Sequence, residues 1–578
     1  MSDLKASDYI ACELHRRGVR HVYELSGGMI THMLDSLYVH KGIQVVSVRH
    51  EQAAAFAADA CGRMTGIPGV AMATSGPGAT NLLTGVGSCY FDSSPAVFIT
   101  GQVNRHEQKQ DRQIRQLGFQ ETDIVSMAKP ITKAAWMVKE PESLPESLDR
   151  AFRIATDGRP GPVLLDIPMD VQRAGIDPSL YRPEPRADAG TTLEPAQIKN
   201  VVDAIRRAKR PLFLVGGGIR AGRVAELARR LVDVSGVPTV CSLMAVDVLP
   251  FEHPCRVGMI GSYGNRWANL ALSESDVLVV MGSRLDVRQT GSQVVEFKGD
   301  RAIFHLDCEP GEINNRVVGC EAVLSELRDT LPQLIAEFQQ TPAEPNAHND
   351  WMNRIRELRR RWPDVDELRD IEGVNPNVFM HQLSRGSAYA AAFVVDVGQH
   401  QMWAAQSLEL GPNQRFLTSG GMGSMGFSLP AAIGTAFAVS PAPVVLVAGD
   451  GGFQCNIQEL QTIVHHNLPI KMVVINNQCH GMVRQFQESY FDSRFQSTYW
   501  GYSAPDFPKV AEGYGIPGQL LADPDDANSA VDWLWSGTGP RLLDVRIDVM
   551  ANAYPKIAFG KPIAEMEPFA KPLEMEGT

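Results

Sequence analysis

An α/β fold of three doubly wound parallel-sheet domains is what this sequence predicts, on three observations. Ten short β-branched runs recur along it, most of them closed by Gly, Asp or Ser and followed by a segment of helix length, as parallel strands feeding crossover helices do. The chain has 578 residues, too many for one hydrophobic core at roughly 150 residues per domain. Two polar, proline-containing stretches, Asp177 to Pro195 and Gln339 to Pro363, part the runs into three groups and read as linkers.

The first group holds Gln44 to Val48, Val70 to Thr74, Ala96 to Thr100 and Pro162 to Asp166. The second holds Pro211 to Val215, Val277 to Met281 and Ala302 to Leu306; the third holds Phe393 to Val397, Val444 to Ala448 and Lys471 to Ile475. The expected domains are 1–176, 191–338 and 371–548, followed by a tail, 549–578. The second linker leads into a charged helix, Arg354 to Arg361. No tandem repeat or low-complexity tract interrupts this plan.

A content of 44% hydrophobic and 21% charged residues fits a folded, soluble α/β protein. The net charge of −12 offers no basic field for nucleic acid or anionic lipid, so neither is an expected partner. Nine scattered cysteines never adopt C-x-x-C spacing, which implies free thiols in a reducing cytoplasm. Met1 to Val19 carries Asp3, Asp8 and Glu13 and has no signal-peptide core, and no apolar run reaches spanning length. A cytoplasmic location is expected.

In the third group, Val444 to Ala448 runs into Gly449-Asp450-Gly451-Gly452, a helix over Cys455 to His466 follows, and the strand Lys471 to Ile475 ends in Asn476-Asn477. A right-handed crossover brings both strand ends to one carboxyl edge, where open α/β sheets bind ligands. Asp450 and Asn477, with a backbone carbonyl such as that of Cys479, then form a hard, incomplete oxygen set. Magnesium completes such a set with phosphate oxygens, so a diphosphate is implied. The glycines let the backbone approach that anion, and the helix N-terminus favours its charge. The bland alternative, a tight turn and two capping asparagines, is disfavoured by the strand-helix-strand spacing. No G-x-x-x-x-G-K-[ST] occurs, which excludes a P-loop hydrolase.

G-D-G followed at this distance by N-N resembles the diphosphate and magnesium signature of thiamine diphosphate enzymes. Further strings carry the likeness over nearly the whole chain: Arg49-His50-Glu51-Gln52, Thr74-Ser75-Gly76-Pro77-Gly78-Ala79-Thr80-Asn81, Phe119-Gln120-Glu121, Val397-Gly398-Gln399-His400-Gln401-Met402-Trp403, and Gly420-Gly421-Met422-Gly423-Ser424-Met425-Gly426-Phe427. Together they resemble the acetolactate (acetohydroxyacid) synthase catalytic-subunit family.

That resemblance implies the thiamine diphosphate-binding fold and a role for each matching residue. Glu51, alone a first-turn carboxylate complementing its helix dipole, would hydrogen-bond the aminopyrimidine and favour the tautomer whose amine takes the thiazolium proton. Gly76, Pro77, Asn81, Val397, Gly398, Gln399, His400, Gly423, Gly449, Gly451, Gly452, Gly481 and Met482 would contact the cofactor. Met425, alone a core filler, would wedge its two rings. Asp450, Asn477 and Cys479 would hold magnesium, and Phe119, Gln120, Arg288 and Phe486 would line the reaction site. The implied reaction decarboxylates a 2-oxo acid such as pyruvate and passes the two-carbon unit to a carbonyl acceptor with water excluded. Glu51 would come from one subunit and Asp450 from another, in a homodimer or homotetramer.

The middle group carries Gly216-Gly217-Gly218-Ile219-Arg220-Ala221 after a strand, a weak dinucleotide signal by itself. With Gly282, Arg284, Asp286, Arg288, Asp307 and Arg159 it resembles the FAD contacts of the family, implying FAD in a structural role, although several relatives leave this domain empty.

Four departures bear on the acceptor. Val287 stands where the family has an aspartate beside Arg288, and Phe486 where it has a tryptophan. A charged stretch between Gln102 and Phe119 is longer than usual, and the tail from Tyr554 to Pro562 differs. Besides a second 2-oxo acid, giving acetolactate, a ketone or keto-sugar nucleotide acceptor, as in the carboligase that builds yersiniose, is therefore the alternative. A simple decarboxylase should carry a His-His pair where only His106 stands. A decayed, non-enzymatic scaffold should tolerate loss of Glu51, Asp450 or Asn477, and all three are kept.

Overall fold

All ten runs are strands of three six-stranded parallel sheets in a computed structural model that describes residues 4–183, 193–340 and 348–574. The N-terminal sheet orders Gln44–Ser47, His21–Leu25, Gly69–Ala73, Ala96–Gln102, Pro162–Pro168 and Ala134–Met137. The central sheet orders Arg256–Met259, Thr239–Cys241, Pro211–Val215, Val277–Met281, Ala302–Asp307 and Glu321–Leu324. The C-terminal sheet orders Arg415–Leu417, Ala392–Val395, Val444–Gly449, Ile470–Asn476, Arg541–Arg546 and Gly518–Leu521.

Each sheet grows outward from its first strand in both directions, and the reversal marks a topological switch point where ligands bind at the strands' carboxyl ends. The central switch point sets Gly216 beside Gly282. The C-terminal one lies between Ala392–Val395 and Val444–Gly449, where the Asp396 amide donates to the Val447 carbonyl at 2.8 Å. It therefore delivers Val397-Gly398-Gln399 and Gly449-Asp450 to one place.

Chain contacts divide the described residues into two compact units. In the first, Ser419–Leu446 and Phe453–Ile470 join the N-terminal residues. Small residues let its helices Glu51–Thr65, Pro77–Asp92 and Ser428–Val439 close in: a Cβ on Gly434 would stand 2.1 Å from the Ala57 carbonyl oxygen, and one on Gly85 would stand 2.2 Å from the Ala55 Cβ. The second unit holds the central domain, most of the C-terminal sheet and the tail.

Two readings need correction. The helix after Val444–Gly449 starts at Asp450 rather than Cys455, and it is broken into Asp450–Cys455, a short Ile457–Glu459 turn and Leu460–His465. Asn456 makes the break, because its side-chain amide leaves the helix to donate to the Gly426 carbonyl at 2.8 Å and Gln52 Oε1 at 3.2 Å. In the second linker 341–347 lies outside the described residues, and the charged helix begins at Asn349 rather than Arg354, running Asn349–Arg361 with Trp351, Ile355 and Leu358 in the central core. In the first linker, 184–192 lies outside the described residues. The tail also docks on the central domain, with Ile557, Ile563 and Met566 in its core and the Ile557 amide bonded to the Ser262 carbonyl at 2.9 Å. Among the described residues no helix is long and apolar enough to cross a membrane, and none of the nine cysteines forms a disulfide.

Candidate active site

At the C-terminal switch point, Asp450 is the first residue of its helix and is 2% exposed; Asn477 leaves the neighbouring strand end at 6%. Burial pushes the Asp450 carboxyl up to about 7, although the Tyr502 hydroxyl and the Gly451 amide hydrogen-bond its charged form. A divalent cation would reverse that penalty. Of the two asparagines, Asn476 is used structurally, donating to Asp544 at 3.1 Å, whereas Asn477 donates to Gln399 Oε1 at 3.2 Å. Gly481 opens the helix Gly481–Tyr490, and a Cβ there would fall 1.9 Å from Gln399 Oε1, so only glycine lets these two elements meet. The Cys479 carbonyl accepts from the Gly481 amide at 3.0 Å and keeps its second lone pair. Met482 is half-buried beyond it.

His400 packs against two more glycines: a Cβ on Gly398 or Gly449 would lie 2.7 or 2.8 Å from its ring. Burial drags its pKa down to about 3, so the ring is neutral, bonded to the Asp396 backbone, and its Nε2 is buried with no protein partner. With its Nδ1–H given to the Asp396 carbonyl, Nε2 of the neutral ring is a lone-pair acceptor, and it donates to a phosphate oxygen only once a bound anion favours the protonated ring. Val397 precedes Gly398, and Gly452 packs on Asp396, to which its Cβ would come within 2.5 Å. Among the described residues no cluster of three or more His, Cys, Asp or Glu could cage a metal. The donor set thus fits a diphosphate with a magnesium ion that needs further oxygens.

The first unit holds Glu51, Gly76, Pro77, Asn81, Phe119, Gln120, Gly423 and Met425. Glu51 opens the helix Glu51–Thr65, is 6% exposed, and accepts from Asn81 Nδ2 at 2.9 Å. Gly76, at φ +64°, caps the helix that Pro77 opens, and a Cβ on it would lie 3.0 Å from that of Gln120. Gln120 itself has φ +65°, a strained setting for a non-glycine residue. Phe119 is 77% exposed. Gly423 and Gly426, at φ +70° and +81°, flank Met425, which is 40% exposed.

Residues 4–127, 198–334 and 396–545 match, in turn, the families described as thiamine pyrophosphate (diphosphate) enzyme N-terminal TPP binding domain, central domain and C-terminal TPP binding domain. The acetolactate synthase large subunit of Pyropia yezoensis is 35% identical over 96% of this chain and 94% of its own length. The isozyme 2 and isozyme 3 large subunits of Escherichia coli (strain K12) are 35% and 34% identical, covering 97% and 98% of this chain and 99% of each relative. This chain belongs to the acetolactate synthase large-subunit family. It is a thiamine diphosphate-dependent enzyme of the acetolactate synthase type, a carboligase with two thiamine diphosphate-binding domains.

The acetolactate synthase-type chain holds its Met425 loop by a buried ion network that the sequence did not reveal. Arg63 bonds Asp59 at 2.6 Å and Asp92 at 3.1 Å, and Asp92 accepts from the Gly420 and Gly421 amides at 3.2 and 2.6 Å. The i, i+4 spacing of Asp59 and Arg63 was the available signal. Arg63→Met leaves two buried carboxylates without their cation and is expected to cost about 3–5 kcal/mol, read from urea denaturation. Gln485 was also missed: on the helix face of Gly481, it accepts from Gln399 at 3.1 Å and binds the Ala553 backbone.

In the central domain of this family member, Gly216 and Gly218 are explained by packing, since Cβ atoms there would meet Gly282 at 2.1 and 2.7 Å. A Cβ on Gly217 would meet the Met244 side chain at 3.1 Å. Asp286 caps a short helix and pairs with Arg284 at 3.2 Å, Asp307 accepts from the Glu309 amide at 2.9 Å, and Arg159 donates to Ser93 at 2.8 Å. Arg288 and Val287 are exposed, and Phe486, 41% exposed, packs on Tyr490 at 4.9 Å.

Proposed function

We propose that this enzyme decarboxylates pyruvate and transfers the two-carbon unit to a second 2-oxo acid, forming acetolactate. The observation that carries this reading is the pairing of a buried Asp450, Asn477, Gln399 and His400 cradle with full-length likeness to acetolactate synthase large subunits. When bound, thiamine diphosphate supplies the nucleophilic carbon and the electron sink for decarboxylation. Asp450, Asn477 and the Cys479 carbonyl hold magnesium; Gly398, Gln399 and His400 receive the diphosphate. Glu51 keeps a hydrogen bond on the aminopyrimidine and moves its proton. Gly76, Asn81 and Met425 seat the rings, and Phe119, Gln120, Phe486 and Arg288 face the substrates, with Arg288 available to a carboxylate.

Domains at 1–176, 191–338 and 371–548 belong to the same reading, supported by the three sheets and matched regions. So do a cytoplasmic homodimer or homotetramer with Glu51 and Asp450 from different subunits, and structural FAD on the central switch point, for which a yellow purified protein is the test. The exposed Val287 and Phe486 motivate an acceptor series. With pyruvate alone the enzyme is expected to form acetolactate at full rate; consumption of pyruvate only when a ketone or keto-sugar nucleotide is added would contradict the assignment.

A further inference from the structure

In the second unit, the helices Asn349–Arg361 and Pro376–Gly386 and the chain around Phe251 and Glu409 enclose an open cavity of about 850 Å³. None of its lining residues has a role in the cofactor or substrate assignments above. Arg356, Arg359 and Arg360 share one face of the first helix at i, i+3 and i+4, a spacing at which like charges repel. Arg385 enters from the second helix.

Two carboxylates line the cavity with these cations, and both are engaged, while a third, Glu252, lies near Arg385. His381 contacts Asp364 with Nε2 and Glu409 with Nδ1, each at 2.8 Å, so both ring nitrogens donate and the ring is an imidazolium. Arg385 bonds Glu409 at 2.6 Å. His381 and Arg385 thus balance Asp364 and Glu409, and the other three arginines are left over. Among the described residues none of those three meets a carboxylate. Arg356 reaches only Asn353, at 2.9 Å, and Arg359 lies 5.2 Å over the Phe251 ring, whose other cation is the buried Arg256 at 5.1 Å, and 5.6 Å over the Trp267 ring.

Three surplus guanidiniums on one rigid helix, at the rim of a cavity of ligand size, match the forked geometry that recognises phosphate oxygens. We propose that this cavity binds a small molecule carrying two or more phosphate groups. A concave wall built from four chain segments suits such a ligand better than the flat acidic face of a protein. The cavity floor also reaches the cofactor cradle through one helix: Ser407, which donates to Asp364, ends the helix Gln399–Ser407 that begins with Gln399 and His400.

The test is calorimetric titration of inorganic pyrophosphate into the enzyme already saturated with thiamine diphosphate, with free magnesium held constant. One-to-one binding that weakens with salt is expected. It should weaken at least tenfold in Arg356→Gln/Arg360→Gln, whose side chains are exposed and whose melting temperature should match the parent. Glu409→Gln, which removes an anion from the wall, should tighten it. No binding to the saturated enzyme, or binding unchanged in the arginine variant, would overturn the proposal, and neither result touches the assignment of the reaction.

Discussion

Glu51→Gln is expected to lower turnover by about 100- to 10,000-fold, the range of a lost general acid–base group, while the protein folds and still binds thiamine diphosphate. The substitution keeps shape and one acceptor oxygen, so the Asn81 hydrogen bond survives. What it removes is a proton-holding oxygen at a buried position. Pyruvate consumption, cofactor affinity and melting temperature should be measured together. Turnover within tenfold of the parent would show that Glu51 is only the first-turn carboxylate of its helix.

Asp450→Ala is expected to weaken thiamine diphosphate binding in magnesium by about 100-fold or more, since even outer-shell partners of metal ligands are worth 10- to 100-fold. Its stability signature has the opposite sign without ligands. The Asp450 carboxyl sits at about 7 in the fold, above its ordinary range, because burial disfavours the charge. Between the unfolded and folded pKa values the native state holds the extra proton, so stability falls as pH rises. At pH 8 the ligand-free variant should therefore melt no lower than the ligand-free parent, and adding cofactor with magnesium should reverse the order. Parallel melting shifts in both proteins would contradict a metal role for Asp450.

Most of the fold was legible because buried parallel strands such as Val277–Met281 are continuous apolar runs. The strands that escaped were short or edge-lying, like Glu321–Leu324 with three of four residues exposed, or carried internal charge, like Arg541–Arg546, whose buried Asp544 serves Asn476. Spacing alone exposed Asp450 and Asn477, because strand-helix-strand geometry fixes their meeting. Helix limits there did not follow, since Asn456 spends its side chain on Gly426 and Gln52, residues far away in sequence. Tyr502 and Gln485 were invisible for the same reason: each is identified only by the partner it reaches in space.

The most direct measurement is reconstitution of the stripped protein. Thiamine diphosphate should bind, and pyruvate consumption return, only when magnesium is supplied with it. Equal binding in the presence of a chelator, or pyruvate consumption by the stripped protein, would contradict a diphosphate held through a metal at Asp450 and Asn477.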